Sequence, residues 1–171
     1  MPSALRHTLP ALAAALCAAV CGCSAPAAER PRDGTTVRVA RVVDGDTIRV
    51  ELPSGEEAVR YIGIDTPESV KPGSPVECFA KRASAFNERL VGGERVRLVR
   101  DVEERDRFGR LLAYVYRERD GLFVNAELVR GGYATVATFP PNVAHVDEFR
   151  RLARRARLSG RGLWGKCEGA G

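Results

Sequence analysis

Thr47-Ile48-Arg49-Val50-Glu51-Leu52 alternates strictly, with Ile48, Val50 and Leu52 on one side and Thr47, Arg49 and Glu51 on the other. A period of two over this length is that of a β-strand with one buried face. Immediately downstream, Pro53-Ser54-Gly55 has the composition of a tight turn, and Val59-Arg60-Tyr61-Ile62-Gly63-Ile64 reads as the returning strand. Upstream, Asp44-Gly45 supplies the same kind of turn, and Val37 and Val39 alternate into it. Three consecutive strands joined by short turns are therefore expected.

Beyond them the period changes. Phe79, Ala83, Phe86 and Leu90 recur at helical spacing and Gly92-Gly93 ends the run, so a helix is expected there. Strands follow at Arg95 to Arg100 and Leu111 to Arg117, then helices at Val124 to Arg130 and Val146 to Leu158. The last of these turns Val146, Phe149, Leu152 and Ala156 inward beneath a row of arginines. The order is βββαββαα, mainly β with helices. Five short strands with a helix between the third and fourth suit a closed Greek-key barrel of the OB type, accompanied by three α-helices.

The chain has 171 residues and a formal net charge of +5, from 27 Lys and Arg against 22 Asp and Glu. Residues 1–23 read as a secretory signal: Arg6 and His7 precede an apolar stretch from Leu9 to Val20, too short to span a bilayer. Val20-Cys21-Gly22-Cys23-Ser24 also resembles a bacterial lipobox, in which Cys23 becomes lipid-modified and N-terminal. Either a membrane-anchored envelope lipoprotein or a freely secreted protein follows, the only membrane contact being a lipid anchor on Cys23. Residues 24–34, rich in Ala and Pro, read as a flexible tether, residues 35–168 as one domain and 169–171 as a tail. Only Cys78 and Cys167 remain outside the leader, and two cysteines in an exported domain suggest one disulfide, contributing on the order of 4 kcal/mol. Removing Arg6 with the leader leaves 26 basic against 22 acidic side chains, an excess of four. Arg150, Arg151, Arg154, Arg155, Arg157 and Arg161 concentrate that excess near the C-terminus, which fits a partner of negative charge or simply a solvated helix face.

Three runs carry chemistry. Asp44-Gly45-Asp46-Thr47, Arg60-Tyr61-Ile62-Gly63-Ile64-Asp65-Thr66-Pro67-Glu68 and Asp106-Arg107-Phe108-Gly109-Arg110 bring acids and arginines to strand ends. Phosphoryl transfer asks for a hard cation held by oxygens, guanidinium groups on the charged phosphate oxygens, and a group that orients water. Any one run alone has an ordinary reading as a turn or a helix start. His145 is the single histidine outside the leader, so two-histidine ribonuclease chemistry is excluded and histidine-based metal sites lose their usual ligands.

Together the three runs, with Val124-Asn125-Ala126-Glu127-Leu128-Val129-Arg130 and Pro141-Asn142, resemble the staphylococcal nuclease (thermonuclease) family from about Val37 to Trp164. The resemblance implies an OB-fold barrel, one calcium ion, and hydrolysis of DNA and RNA at the 5′ oxygen, leaving 3′-phosphate products. It implies calcium ligation by Asp46, Asp65 and the Thr66 carbonyl, and a grip on the scissile phosphate by Arg60 and Arg110. Glu68 is implied to hold the attacking water, as general base or as a positioning acceptor. Phe108 stands where the family usually has tyrosine, with Arg107 keeping the neighbouring charge, and Phe139 stands near the positions of the family's base-stacking tyrosines. A catalytically silent OB-fold module that binds nucleic acid at the cell envelope is the alternative. The absence of a long exposed apolar run is compatible with a monomer.

One geometric condition attaches to this site. Strict alternation puts Arg60 and Asp65, five residues apart, on opposite faces of a strand. The strand must therefore end or bend before Asp65, and Gly63 and Pro67 are where that departure is expected.

Overall fold

Strand alternation translates directly into barrel walls. β1 (Thr35–Val42), β2 (Thr47–Leu52) and β3 (Gly55–Tyr61) form an antiparallel meander, with Thr47 opposite Arg60 in the β2 and β3 register. The structure, a computed structural model, describes residues 34–69, 73 and 75–167. The expected leader with Cys23, nearly all of the expected tether, and the expected tail lie outside the described residues.

β5 (Arg95–Val99) pairs antiparallel with β1, and β6 (Leu111–Arg117) pairs antiparallel with β5 and parallel with β3. The closed order is β1-β2-β3-β6-β5, the five-stranded barrel expected from the sequence. Closure removes free sheet edges, which open sheets must otherwise protect. The interior takes every second residue: Val37 and Val39 from β1, Ile48 and Val50 from β2, Val59 and Tyr61 from β3, all buried. Side chains of this size contribute roughly 1.5–3 kcal/mol each when withdrawn from water.

α1 (Ala80–Val91) lies between β3 and β5 in sequence, and α2 (Val124–Arg130) and α3 (Val146–Leu158) follow β6. α3 packs Phe149, Leu152 and Ala156 into the core and leaves its arginines outside. Two further elements are present. A short α4 (Leu163–Lys166) follows α3, and β4 (Ile64–Asp65) pairs with β7 (Thr135–Val136) in a separate two-stranded sheet. Neither is long enough to leave a periodic signal in sequence.

β4 answers the geometric condition on Arg60 and Asp65. The third strand was expected to run to Ile64, but β3 ends at Tyr61 and Gly63 adopts φ +79°, a left-handed conformation that glycine takes without a Cβ penalty. The chain re-enters extended structure at Ile64 with Asp65 facing the other way. Gly63 is also required by packing, since a Cβ there would lie 2.6 Å from Cε2 of Phe149.

Candidate active site

β2 and β3 carry the site at one rim of the barrel. The backbone N–H of Tyr61 donates to the Asp46 carbonyl (2.9 Å), extending the β2 and β3 ladder to the turn and fixing Asp46 beside Arg60. The second acid arrives from beyond the Gly63 turn. Gly45 packs against Thr66 so closely that a Cβ at Gly45 would sit 2.7 Å from Oγ1 of Thr66. The turn dipeptide Asp44-Gly45 thus serves two ends: it reverses the chain and admits the Asp65-Thr66 segment.

Arg60 is the centre of the cluster. Its Nη2 donates to Oδ1 of Asp65 (2.7 Å), and its Nη1 lies 3.2 Å from Oδ1 of Asp46. The same Nη1 donates to the carbonyls of Tyr61 (3.0 Å) and Ile64 (2.9 Å), so the guanidinium plane is held by the turn that redirects Asp65. Asp46 is 4% exposed and its carboxylate is surrounded by donors. Thr47 donates its hydroxyl to Oδ1 (3.1 Å), and Thr66 donates both its backbone N–H (2.7 Å) and its hydroxyl (2.8 Å) to Oδ2. A carboxylate this buried requires such partners.

Negative charge is crowded here. Burial, followed by the charge of Asp46, pushes the Asp44 carboxyl up to about 6. Asp65 is also raised, first by burial and then by the charges of Asp46, Glu77 and Glu68, against the lowering effect of Arg60. Glu68 stands just past Pro67. Its N–H donates to Oε2 of Glu77 (2.9 Å), and the Glu77 N–H donates back to the Glu68 carbonyl (3.0 Å).

Arg110 enters as the residue just ahead of β6. Because β3 and β6 run parallel with Arg60 opposite Leu112, residues at the start of β6 reach the rim that carries Arg60. Arg110 gives its Nε to Oδ2 of Asp106 (2.7 Å), while Asp106 Oδ1 accepts the N–H groups of Phe108 and Arg110 (2.9 and 3.0 Å). This fixes the Asp106-Arg107-Phe108-Gly109-Arg110 loop and leaves the terminal nitrogens of Arg110 without a protein acceptor among the described residues. A groove of about 490 Å³ runs between the two arginines, lined also by Asp65, Arg107, Phe108 and Phe139. Phe108 and Phe139 are 68% and 72% exposed, and the guanidiniums of Arg107 and Arg110 lie over the Phe108 ring at 4.8 and 5.4 Å.

The structure therefore gathers Asp46, Arg60, Asp65 and Thr66 into one cluster and sets Arg107, Phe108, Arg110 and Phe139 along the groove it opens into. Glu68 lies next to Asp65 electrostatically but is not among the residues lining the groove. Cys78 and Cys167 are joined by a disulfide that ties the segment before α1 to the end of α4. Cys23 lies outside the described residues. Two supporting residues were given no role by sequence, although Asn142 belongs to one of the runs that carry the resemblance. Buried Asn87 accepts the Tyr61 hydroxyl (3.0 Å) and donates to the Asp44 carbonyl (3.0 Å), bracing the turn from α1. Buried Asn142 exchanges two hydrogen bonds with the backbone of Glu103 (2.7 and 2.9 Å), anchoring the Phe139 loop. Both asparagines sit in runs with no pattern that distinguishes a buried amide from an exposed one.

The donors suit a hard cation. Asp46 and Asp65 both reach one cationic centre, the Arg60 guanidinium, so a positive charge is accommodated between them, and every nearby donor is oxygen. Among the described residues no group of three or more acidic, histidine or cysteine side chains is close enough to enclose an ion. An ion held here must therefore take its remaining oxygens from backbone and water.

A closed five-stranded barrel with a carboxylate and guanidinium cluster on its rim is an OB-type barrel bearing a polar site at its mouth. Residues 58–166 match the protein family described as Staphylococcal nuclease homologue. The chain is 43% identical over 124 residues to the thermonuclease of Staphylococcus intermedius, spanning 72% of this chain and 70% of that one. It is 37% identical over 129 residues to the thermonuclease of Staphylococcus hyicus, spanning 75% of each. With endonuclease YncB of Bacillus subtilis (strain 168) the identity is 37% over 143 residues, 82% of this chain and 67% of that one. The chain belongs to the staphylococcal nuclease family.

Proposed function

We propose that this protein is a calcium-dependent nuclease that hydrolyses phosphodiester bonds of DNA and RNA at the 5′ oxygen and leaves 3′-phosphate ends. The observation that carries the reading is the Arg60 guanidinium bridging Asp46 and Asp65 at the mouth of a groove that Arg110 also lines. Relatives named thermonuclease and endonuclease YncB support the nuclease assignment.

Asp46, Asp65 and the Thr66 carbonyl would hold the calcium ion, which when bound supplies charge neutralisation at a phosphate oxygen. Arg60 and Arg110 present planar forks to the scissile phosphate. Arg60 exchanges its bonds to Asp46 and Asp65 for phosphate oxygens, and Arg110 uses the terminal nitrogens that Asp106 leaves unengaged. Both donate most strongly as charge accumulates on the five-coordinate phosphorus, so they favour the transition state over the bound substrate. Glu68 accepts a hydrogen bond from the attacking water and directs it at phosphorus. Arg107, Phe108 and Phe139 line the path of the flanking nucleotides, the rings offering flat apolar faces to bases.

The reading extends to export, either as a lipoprotein anchored through Cys23 or as a secreted protein, and the Cys78–Cys167 disulfide supports an oxidising compartment. The test is a calcium titration of nucleic-acid cleavage with end analysis of the products. Cleavage that rises with calcium and yields 3′-phosphate ends is expected. Undiminished cleavage in excess chelator, or 5′-phosphate ends, would overturn the proposal.

A further inference from the structure

The positive charge of this chain is not spread over the molecule. Residues 145–167 hold seven Lys and Arg against two Asp and Glu, an excess of five, while the rest of the chain has 20 of each. The whole formal net charge thus resides in α3 and the segment that follows it.

On α3 these charges are presented outward. Arg150, Arg151, Arg154, Arg155 and Arg157 are all exposed, and the helix rise sets Arg150 and Arg154, and likewise Arg151 and Arg155, about 6 Å apart along the axis. Arg150 has a weak partner in Asp147 (3.7 Å), and Arg157 lies over the Trp164 ring (5.5 Å). Arg151, Arg154, Arg155 and Arg161 form no ion pair among the described residues. Beside them Arg130 of α2, Arg155, Ser159 and Arg161 rim a depression of about 230 Å³ that Leu152 also lines, so three arginines and a hydroxyl-bearing residue surround one concavity. None of these four residues lines the groove of the catalytic site.

We propose that this face, the exposed arginines of α3 with Arg130 and Arg161, is a second nucleic-acid contact surface that holds phosphates of a long substrate outside the catalytic groove. The inference rests on the nuclease reading above and adds to it a surface for substrate length. Arg155 and Arg161, which have no ion-pair partner among the described residues, and Arg130, which is paired with Glu127, bring planar forks to this concavity, and phosphate oxygens accept bidentate bonds from such forks. An anionic bilayer fits less well. Helices that lie on membranes bury an apolar face in the lipid, and α3 has already committed Phe149, Leu152 and Ala156 to the protein core.

The test compares the full chain with the variant R151Q/R154Q/R155Q/R161Q. Two substrates are used in calcium, a chromogenic nucleoside phosphodiester confined to the catalytic groove and a single-stranded oligonucleotide of about 40 nucleotides. Binding of that oligonucleotide is also measured in excess chelator across a range of salt concentrations. The variant is expected to turn over the short diester as wild type does, to show a raised KM for the oligonucleotide, and to lose about 0.7 of salt slope per vanished phosphate contact, or about 3 in all. The variant R151K/R154K/R155K/R161K should keep most of the slope, because counterion release follows charge. If the glutamine variant loses activity on both substrates, Arg155→Gln and Arg161→Gln alone decide, each expected to lower the slope by about 0.7. An unchanged slope in the variants overturns the proposal, as does loss of binding to phosphatidylglycerol vesicles with oligonucleotide binding intact. A wild-type chain that cleaves neither substrate contradicts the nuclease reading, while the salt slope measured in chelator still decides this one.

Discussion

Replacing Gly63 with alanine should destabilise the protein by an amount that can be worked from two separate sources. Gly63 sits at φ +79°, where a side chain costs roughly 1–2 kcal/mol. The new methyl would also lie 2.6 and 2.9 Å from Cε2 and Cδ2 of Phe149, which is fully buried beside the rings of Tyr114, Phe123 and His145. Forcing such a ring aside costs typically 1–3 kcal/mol. Together these predict a loss of roughly 2–5 kcal/mol, a large share of a typical stability of about 5–15 kcal/mol. With a urea slope of about 2 kcal/mol/M, the unfolding midpoint should fall by about 1–2.5 M without a change in slope. The second variant separates the sources. In Gly63→Ala/Phe149→Leu the clash is relieved and the backbone cost remains, so the pair should be coupled by about 1–3 kcal/mol relative to the summed single losses. A loss below about 1 kcal/mol for Gly63→Ala, or strict additivity in the double variant, would refute the argument that this glycine is required by both backbone and packing.

Further outcomes follow from the same geometry. Arg60→Lys should lower turnover on the order of 10²-fold, about 2.7 kcal/mol, with a smaller change in KM, because lysine cannot offer the planar fork that Arg60 turns from Asp46 and Asp65 onto the phosphate oxygens; steady-state kinetics showing equal effects on both parameters would point to simple charge attraction. Removing the disulfide as C78A/C167A should cost about 2–5 kcal/mol in denaturant unfolding, given the sequence separation of 89 between the cysteines, and reductant should no longer affect the variant's stability. Arg117 holds the Asp120 carboxyl down to about 2, from an ordinary 3.8. A lowered folded-state value means the contribution is present above pH 3.8 and is lost as pH falls through about 2. Asp120→Asn should therefore flatten the acid limb of stability in that window, and an unaltered acid limb would show that the pair is solvated away.

The barrel was legible because alternation in Thr47 to Leu52 and again in Arg95 to Val99 reports a half-buried strand, whatever its partners, while Leu111 to Arg117 reads as a strand although it buries Ala113, Tyr114 and Val115 in succession. The helices over Val124–Arg130 and Val146–Leu158 were equally plain, the second because its apolar residues return every three or four positions beneath arginines. What sequence did not reveal is set by contacts between distant residues. β4 and β7 have two residues each and are strands only because Ile64 and Asp65 meet Val136 and Thr135. Parallel pairing of β3 with β6, which brings Arg110 to the rim bearing Arg60, is invisible in either strand alone. Within the site, Asp46, Asp65 and Arg60 were legible as charged residues between strands, and the need for a bend at Gly63 followed from the parity of five. Asp106 as the partner of Arg110, and Asn87 and Asn142 as braces, were not, since nothing local separates an amide that holds a loop from one that faces water.

The most direct test of the account is cleavage of single-stranded DNA by the purified protein, in calcium and in chelator, beside the double variant Glu68→Gln/Arg110→Ala. Calcium-dependent cleavage by the wild type, absent from the variant while DNA binding persists, is the predicted result. Binding without cleavage by the wild type in calcium would contradict the account and make this barrel a nucleic-acid-binding module whose charged cluster performs no hydrolysis.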